Sequence, residues 1–366
     1  MLRKVAAVLL FSAFVLGGCG EREPLRIGFL GALSGRGADL GEAGRNGAQM
    51  AIDEANRDGG IRGRPVELVV RDDGQNGERI IAAVNELVAA RVAAIIGPMT
   101  SAMAEIALPL ANRAGVTLVS PTVTARKFFG VDDQLFLVMS STREEAALSA
   151  QFHHGRGARR VAVAYDARNL AYTESWLAEF SRTFQEFGGE VVGIAFESAP
   201  DADLGRVAES ALAVRADLVM LIASATDAAR LAQKLRERNP QIRLAASQWA
   251  TTQRLIELGG SAVEGMFLHN YFDGQSREPA FVRLRAAYVE RFRREPDFAA
   301  IASYDATRAV LAALARREGG ETLHDALLAR GPFAGAEGDF SFNGSGDSSR
   351  APRITTVRDG QFASVM

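Results

Sequence analysis

Short apolar runs alternate with amphipathic segments of helical length along most of this 366-residue chain. The first run, residues 25–30, ends at Gly31, and residues 41–57 then carry apolar or small side chains at helical spacing and stop before Gly59-Gly60. A pair of glycines after a helical segment is a common signal for a helix C-terminus. The same pattern predicts strands at 66–70, 93–96 and 116–119, and helices at 78–90 and 101–113. Strands that alternate with helices in this way predict a doubly wound parallel sheet.

A second series of the same kind follows in the middle of the chain. It predicts strands at 160–164, 191–196, 218–222 and 243–246, and helices at 173–187, 203–214 and 228–238. Further on, helices are predicted at 279–294, 299–317 and 323–328, and short strands and turns at 336–366. Two similar α/β halves in one chain predict two lobes that face a cleft.

The N-terminus has the organisation of a secretory signal. Arg3 and Lys4 precede an apolar run at residues 5–15, and Leu16-Gly17-Gly18-Cys19 follows. The run is shorter than the roughly 20 residues that span a bilayer. Leu-Gly-Gly-Cys resembles the bacterial lipobox, and this resemblance implies cleavage before Cys19 and lipid attachment to its sulfur. The alternative is an ordinary signal peptide with a chance cysteine.

We therefore expect a lipoprotein signal peptide at residues 1–18 and a short tether at residues 19–24. The lipid on Cys19 would hold the mature protein at a membrane surface without spanning the membrane. The expected location is the periplasm or the cell surface. No later stretch is expected to be long and apolar enough to cross a membrane.

Charge, cysteine count and motif spacing exclude several functions. Forty-two basic residues against 44 acidic ones give no reason to expect a nucleic-acid partner. A single cysteine cannot form an intrachain disulfide or a cysteine zinc site. The glycines of residues 28–41 lack the spacing of a phosphate-binding loop, and no histidine has metal-motif spacing. We therefore expect no cofactor, no metal and no enzymatic activity.

Several motifs occur in order along the mature chain. They are Arg26-Ile27-Gly28, Gly31-Ala32-Leu33-Ser34-Gly35, Gly44, Gly47-Ala48, Asn56, Gly59-Gly60-Ile61-Arg62-Gly63, Asp72-Asp73, Ile95-Ile96-Gly97-Pro98, Val119-Ser120-Pro121, Tyr165-Asp166 and Ser303-Tyr304-Asp305-Ala306. This set resembles the type I periplasmic binding proteins of the leucine/isoleucine/valine class.

The resemblance implies two α/β lobes joined by three hinge strands, which close on a small ligand. It implies a first lobe of residues 25–139 and 272–338 and a second lobe of residues 140–271 and 339–366. It also implies delivery of the ligand to the permease and ATPase of an ABC importer. We expect the binding protein itself to be a monomer.

The first part of the expected site lies where two strands of the first half end. Ser101 begins a helix just after the third strand, and a helix N-terminus is a ready anion site. Thr122, Val123 and Thr124 follow the fourth strand at the same edge of the sheet, where ligands bind in open α/β folds. In the resembling family, the matches of Ser101 and Thr124 hold an amino-acid carboxylate, and the carbonyl matching Thr122 accepts from the ammonium group. A plain helix cap and a plain turn are the alternatives for Ser101 and Thr124.

The second half departs from the family at the ammonium partner. The resemblance implies an acidic residue after the strand at 243–246, but Gln248 and Trp249 stand there. A buried ammonium group without a counter-charge is unfavourable. Either another acid serves, or the ligand is not a simple α-amino acid. Trp249 could equally wall the cleft or belong to the core.

Three further residues complete the expected ligand contacts. Tyr172 lies near the position of a cleft-lining tyrosine and suits stacking against an apolar or aromatic ligand. Ser224 matches another cleft position and is small and polar. Leu40 falls where the family often carries an aromatic residue over the ligand side chain.

The main functional hypothesis is an ABC-importer substrate-binding lipoprotein for an amino acid or a related small carboxylate or amide. The second is a ligand sensor of the same fold that acts on a receptor or regulator. The third is a hydrolase, which requires an acid, base or metal constellation that the sequence does not offer. The sequence leaves open the ligand and the choice of inner, outer or single membrane.

Overall fold

The computed structural model describes residues 23–35 and 37–365. The predicted signal peptide, Cys19 and most of the predicted tether lie outside these residues. The described part of the chain forms two main β-sheets with helices packed on them.

The first sheet has five parallel strands in the order β2-β1-β3-β4-β5. Its strands are β1 (Leu25–Gly31), β2 (Val66–Asp72), β3 (Ile95–Ile96), β4 (Leu118–Ser120) and β5 (Leu135–Leu137). The helices between them are α1 (Ala38–Arg57), α2 (Gly77–Ala89) and α3 (Ser101–Ala114). The chain winds in both directions from β1, so the strand order reverses between β1 and β3, beside the start of α3.

The second sheet has seven strands in the order β14-β13-β10-β9-β8-β6-β7. Five are parallel to one another: β6 (Arg160–Asp166), β7 (Glu190–Phe196), β8 (Leu218–Ile222), β9 (Leu244–Ala246) and β10 (Phe267–Asn270). Two form an antiparallel edge: β13 (Arg353–Arg358) and β14 (Gln361–Ser364). The associated helices are α4 (Thr142–Gly155), α5 (Leu170–Glu186), α6 (Leu204–Ala213), α7 (Ala225–Arg238) and α8 (Gln253–Gly259).

Three helices and a hairpin occupy the chain between β10 and β13. They are α9 (Pro279–Phe292), α10 (Phe298–Arg316), α11 (Leu323–Ala329), β11 (Phe333–Gly335) and β12 (Gly338–Phe340). Helix α10 packs tightly on α1. A Cβ atom added at Gly47 would lie only 2.0 Å from the carbonyl oxygen of Ala300, so this contact requires glycine. By length and composition α10 could cross a membrane, contrary to the expectation from sequence, but most of it is buried in the protein.

The chain passes between the two sheets within the described residues after β5, after β10 and before β13. After the hairpin β11–β12, the chain first runs back beside β5, where Leu137 donates its N–H to the carbonyl of Gly346 at 2.9 Å. It then joins the second sheet as β13.

The structure confirms the predicted fold class, two lobes built on mainly parallel sheets with a cleft between them. The predicted alternation of strands and helices is also present, with ends that shift by a few residues. Helix α5 begins at Leu170 instead of residue 173, so Tyr172 lies in its first turn. The sequence pattern did not predict β5, α8 or β10, and it gave no bounds for α4.

Candidate ligand-binding site

A cavity of about 20 Å³ lies between the two lobes. On the first-lobe side it is lined by Leu40, Met99, Thr100, Ser101, Thr122, Thr124 and Phe298. On the second-lobe side it is lined by Glu145, Asn169, Tyr172, Gln248 and Trp249, and Met139 lies at the first crossing. The cavity therefore contains seven of the nine ligand contacts expected from the sequence.

The first turn of α3 lies at the wall of the cavity. Ser101 is buried there, and its hydroxyl oxygen accepts the N–H of Ala125 at 3.3 Å. The hydroxyl proton of Ser101 can still be donated to a ligand, since the oxygen serves as the acceptor in this bond. The dipole of the helix favours a negative group at this corner.

The turn after β4 forms the neighbouring wall. Thr122 donates its hydroxyl to the carbonyl of Met99 at 2.6 Å, which fixes the turn against the approach to α3. The carbonyl of Thr124 accepts the N–H of Thr142 at 2.7 Å, at the start of α4. Val123 lies between these threonines but points away from the cavity into the apolar core on the other side of the turn.

Aromatic and amide side chains form the second-lobe wall. The rings of Tyr172 and Trp249 meet edge to face with their centroids 5.9 Å apart. Trp249 both lines the cavity and packs in the core, so the two interpretations open at the sequence level both hold. The Tyr172 hydroxyl and the Gln248 side-chain N–H₂ are buried without a hydrogen-bond partner among the described residues. Buried polar groups are rarely left unpaired, so these two are available to a ligand.

Ser224 does not line the cavity. It caps the N-terminus of α7, where its hydroxyl donates to the Asp227 carboxylate at 3.1 Å and accepts the Asp227 N–H at 3.3 Å. The side chain is thus committed to a helix cap, a role for which serine is one of the preferred residues.

Glu145 is a cavity residue that the sequence reasoning missed. One carboxylate oxygen accepts the backbone N–H of Gln248 at 3.0 Å and lies 3.5 Å from Nδ1 of His269. Burial raises the pKa of Glu145 to about 7, opposed by the N–H groups of Gln248 and Trp176. Burial also lowers the pKa of His269 to about 4, so His269 is neutral at pH 7.

A signal for Glu145 does exist in the sequence. Glu145, Ala146, Ser149 and Ala150 recur at the spacing of one helix face, and this face of α4 is buried. An acidic residue on an otherwise small and apolar face is unusual and marks a candidate functional group. Met99, Thr100, Met139, Asn169 and Phe298 were also not predicted as lining residues.

Hydrogen bonds join the two lobes around the cavity. Asn169 accepts the N–H of Ala102 at 3.0 Å, directly at the start of α3. On another side of the cleft, Thr252 donates its hydroxyl to Asp39 at 3.0 Å. The two walls are therefore in contact beside the cavity. Within residues 23–35 and 37–365, no group of three or more His, Cys, Asp or Glu side chains is placed to hold a metal ion.

Comparisons with known proteins agree with this architecture. A family model described as periplasmic binding protein matches residues 24–361. The Leu/Ile/Val-binding protein BraC3 of Rhizobium johnstonii is 37% identical over 101 residues, and the match spans 28% of each chain.

Two solved structures show the same fold over nearly the whole chain. The leucine-binding protein LivK of Thermotoga maritima is 24% identical with a TM-score of 0.86, covering 93% of this chain and 98% of LivK. A solute-binding protein of an ABC transporter from Rhodopseudomonas palustris, in complex with 3,4-dihydroxybenzoic acid, is 19% identical with a TM-score of 0.83, covering 94% of this chain and 96% of that one.

The family and the fold are those of substrate-binding proteins and not of enzymes. This chain belongs to the type I periplasmic binding proteins of the leucine/isoleucine/valine-binding family.

Proposed function

We propose that this protein is the extracytoplasmic substrate-binding component of an ABC importer for an amino acid or a related small carboxylate or amide. The observation that carries the proposal is the cavity between the lobes, with a helix N-terminus on one side and aromatic, amide and carboxyl groups on the other. The cavity of about 20 Å³ has room for about one water molecule, so the lobes must move apart to admit a ligand.

The proposed ligand contacts follow from this lining. Ser101 and Thr124 hold the ligand carboxylate at the start of α3, and the carbonyl of Thr122 faces the amino or amide group. Leu40, Tyr172 and Trp249 enclose the apolar part of the ligand, and Gln248 offers a polar contact from the second lobe. Val123 and Ser224 are left out of this set, because one side chain is in the core and the other caps a helix.

Lobe closure is the proposed binding mechanism. The ligand touches both lobes, so it stabilises the closed arrangement over an open one. We place the three crossings at the ends of residues 25–139, 140–271 and 272–349. The third lies later than the 338/339 boundary expected from sequence, since residues 343–348 hydrogen-bond beside β5.

The predicted lipid anchor completes the proposal. Lipidated Cys19 would keep the protein near its permease at the periplasmic side of a membrane or at the cell surface. Replacement of Cys19 by Ala should release the protein from the membrane fraction while ligand binding persists. Retention of the Ala variant in washed membranes would contradict lipid anchoring through Cys19, and the proposed binding function would be unaffected.

A thermal-shift screen tests the binding function. The probes are the twenty amino acids, benzoate, 3,4-dihydroxybenzoate and small amides. Saturation to about 100 times Kd adds about 2.7 kcal/mol of stability, so at least one probe should raise Tm by several degrees. If no probe shifts Tm, the proposed ligand class is wrong.

Uptake separates transport from sensing. A strain that lacks this protein should lose high-affinity uptake of the ligand found in the screen, and the wild-type gene should restore it. Normal uptake together with an altered transcriptional response to that ligand would favour the sensor.

A further inference from the structure

The cavity contains one ionisable carboxyl group. Among the lining residues that the structure describes, Glu145 is the only acid, and no Lys, Arg or His is present. The family's acidic position is filled by Gln248, which is neutral. A positive group of a ligand could therefore find a counter-charge in this lining only at Glu145, and a buried charge needs such a partner.

The surroundings of Glu145 suit a cation. Tyr172 and Gln248 are each about 5% exposed, and each carries a buried polar atom, the hydroxyl or the side-chain amide nitrogen, without a hydrogen-bond partner among the described residues. A tyrosine oxygen can accept a hydrogen bond from an ammonium group. The rings of Tyr172 and Trp249 add faces of the kind that attract cations in desolvated sites.

We propose that Glu145 is the counter-charge for a cationic amino group of the ligand, in place of the acid absent at Gln248. This inference rests on the proposed function and narrows its ligand class. The ligand carries a carboxylate for the N-terminus of α3 and an ammonium group for Glu145. Simple acids such as benzoate lack the second group and leave Glu145 buried without a counter-charge.

Binding should release a proton from Glu145. The groups that face it are His269 from β10, Tyr172 and Trp176 from α5, and the backbone N–H of Gln248. Burial keeps His269 neutral, and it raises the pKa of Tyr172 well above its ordinary value, so that Tyr172 is neutral as well. None of these groups therefore supplies a positive charge near pH 7. The pKa of Glu145 is about 7 without ligand, and an arriving ammonium group favours the carboxylate. The carboxyl proton goes to the solvent, and the ligand keeps its own protons.

Affinity for an amino acid should therefore increase as the pH rises from about 6 to about 8, because less work is needed to ionise Glu145. At pH 7, about half a proton should leave per ligand bound, given a pKa of about 7. The enthalpy of binding should then differ between phosphate and Tris buffers in proportion to their ionisation enthalpies.

Isothermal titration calorimetry with matched ligand pairs tests the inference. The pairs are L-leucine with 4-methylpentanoate, L-valine with 3-methylbutanoate, and L-phenylalanine with 3-phenylpropanoate. Each amino acid is compared with the acid that lacks its amino group. Wild type should prefer an amino acid over its acid by tenfold or more. E145Q should lose this preference and the buffer dependence while it binds the acid as well as wild type does.

Three variants make the result specific to Glu145. E174Q removes an exposed carboxylate from α5 of the same lobe and should behave like wild type. E145D keeps the charge and should retain part of the preference. Q248E in the E145Q background restores an acid at the family position and should recover the preference for amino acids.

The outcomes separate the two proposals. Preference for the deaminated acids in wild type, or an unchanged preference in folded E145Q, overturns the role of Glu145 and leaves the binding function standing. Absence of binding to every member of all three pairs overturns the amino-acid function itself, and the role of Glu145 with it. Circular dichroism and Tm of the free variants establish that each is folded.

Discussion

At the residue scale, burial in the cavity disfavours the ionised form of Glu145, and a cationic group of the ligand would offset this free-energy cost. Its carboxyl group is buried, accepts one backbone N–H and lies near a neutral histidine. The ionised form is disfavoured in the folded state, so the pKa rises to about 7. An acid whose pKa is raised on folding stabilises the protein at low pH, and this contribution is lost as the pH rises from about 4.5 to about 7.

E145Q should therefore gain stability relative to wild type as the pH increases. A glutamine resembles the protonated acid, so the two unfolding free energies should be similar at pH 4. Above pH 7 the variant should be more stable by up to about 3 kcal/mol, the value that corresponds to a raise of 2.5 pKa units. Urea denaturation of the ligand-free proteins at both pH values measures this. A difference that does not change with pH would show that Glu145 keeps an ordinary pKa.

Ser101 and Thr124 are expected to act together on the ligand carboxylate. Their joint replacement by Ala removes two hydroxyls at the start of α3 and leaves the backbone in place. Loss of two hydrogen bonds to a charged group, each worth about 1.5–3 kcal/mol, should weaken binding by a hundredfold or more. Titration of the double variant with the best ligand of the screen checks this. Binding equal to that of wild type would show that the carboxylate lies elsewhere.

The sequence predicted residues that line the cavity well where a strand end determines their position. Ser101, Thr122 and Thr124 follow β3 and β4, so the sheet edge brings them together. The sequence did not show that Val123 points away from the cavity while its neighbours line it. The direction of a side chain in a turn depends on dihedral angles that the residue type leaves open. Ser224 has the right polarity, but the α7 N-terminus uses its hydroxyl.

Helix α4 matters at the element scale because it carries Glu145 in its first turn. Its start is stabilised by Glu144, whose carboxylate accepts the N–H of Ser141 at 2.9 Å and its hydroxyl at 3.1 Å. This arrangement resembles a capping box and satisfies a backbone donor that the helix itself leaves unpaired. These capping hydrogen bonds thus position Glu145, the residue that follows Glu144.

E144A should reduce the unfolding free energy by about 1 kcal/mol through loss of this cap. Because the first turn of α4 then frays, amino-acid binding should weaken as well, although Glu144 does not line the cavity. E174A, which removes an exposed carboxylate from α5, is the matched control and should change neither property. Denaturant unfolding and calorimetry measure both effects. An E144A variant as stable as wild type would mean that the cap contributes nothing.

Two elements escaped a full prediction for different physical reasons. Strand β5 has three residues and no α-helix separates it from β4, so it falls outside the alternation of strands and helices. Helix α4 has a glutamate and a histidine on its buried face, which weakens its apolar stripe, so no bounds were predicted for it. Longer apolar strands such as β1 and β8 were predicted, because they are buried on both sides of a parallel sheet.

At the scale of the whole molecule, the third crossing is fixed by a buried ion pair. Arg350 lies 2.6 Å from Asp305 of α10, and its guanidinium also stacks over the rings of Tyr271 and Phe340. Tyr271 belongs to the second crossing, so one arginine contacts two of the three connections between the lobes. The Asp305 side chain is about 1% exposed and also accepts the N–H of Ala336 at 2.7 Å.

R350A should destabilise the protein by about 3–5 kcal/mol, because it leaves the Asp305 carboxylate buried without its partner. Arg358, exposed on β13, provides the control, and R358A should change stability by less than about 0.5 kcal/mol. Denaturant unfolding compares the two variants. Equal stability of R350A and R358A would show that the ion pair does not hold the crossing segment in place.

A crystal structure of the protein saturated with the tightest amino acid of the screen tests the central claim most directly. We expect the ligand in the cavity between the lobes, with its carboxylate at Ser101 and Thr124. Its ammonium group should lie about 2.7–2.9 Å from a Glu145 oxygen. Ligand density outside this cavity, or an ammonium group that does not contact Glu145, would contradict the account.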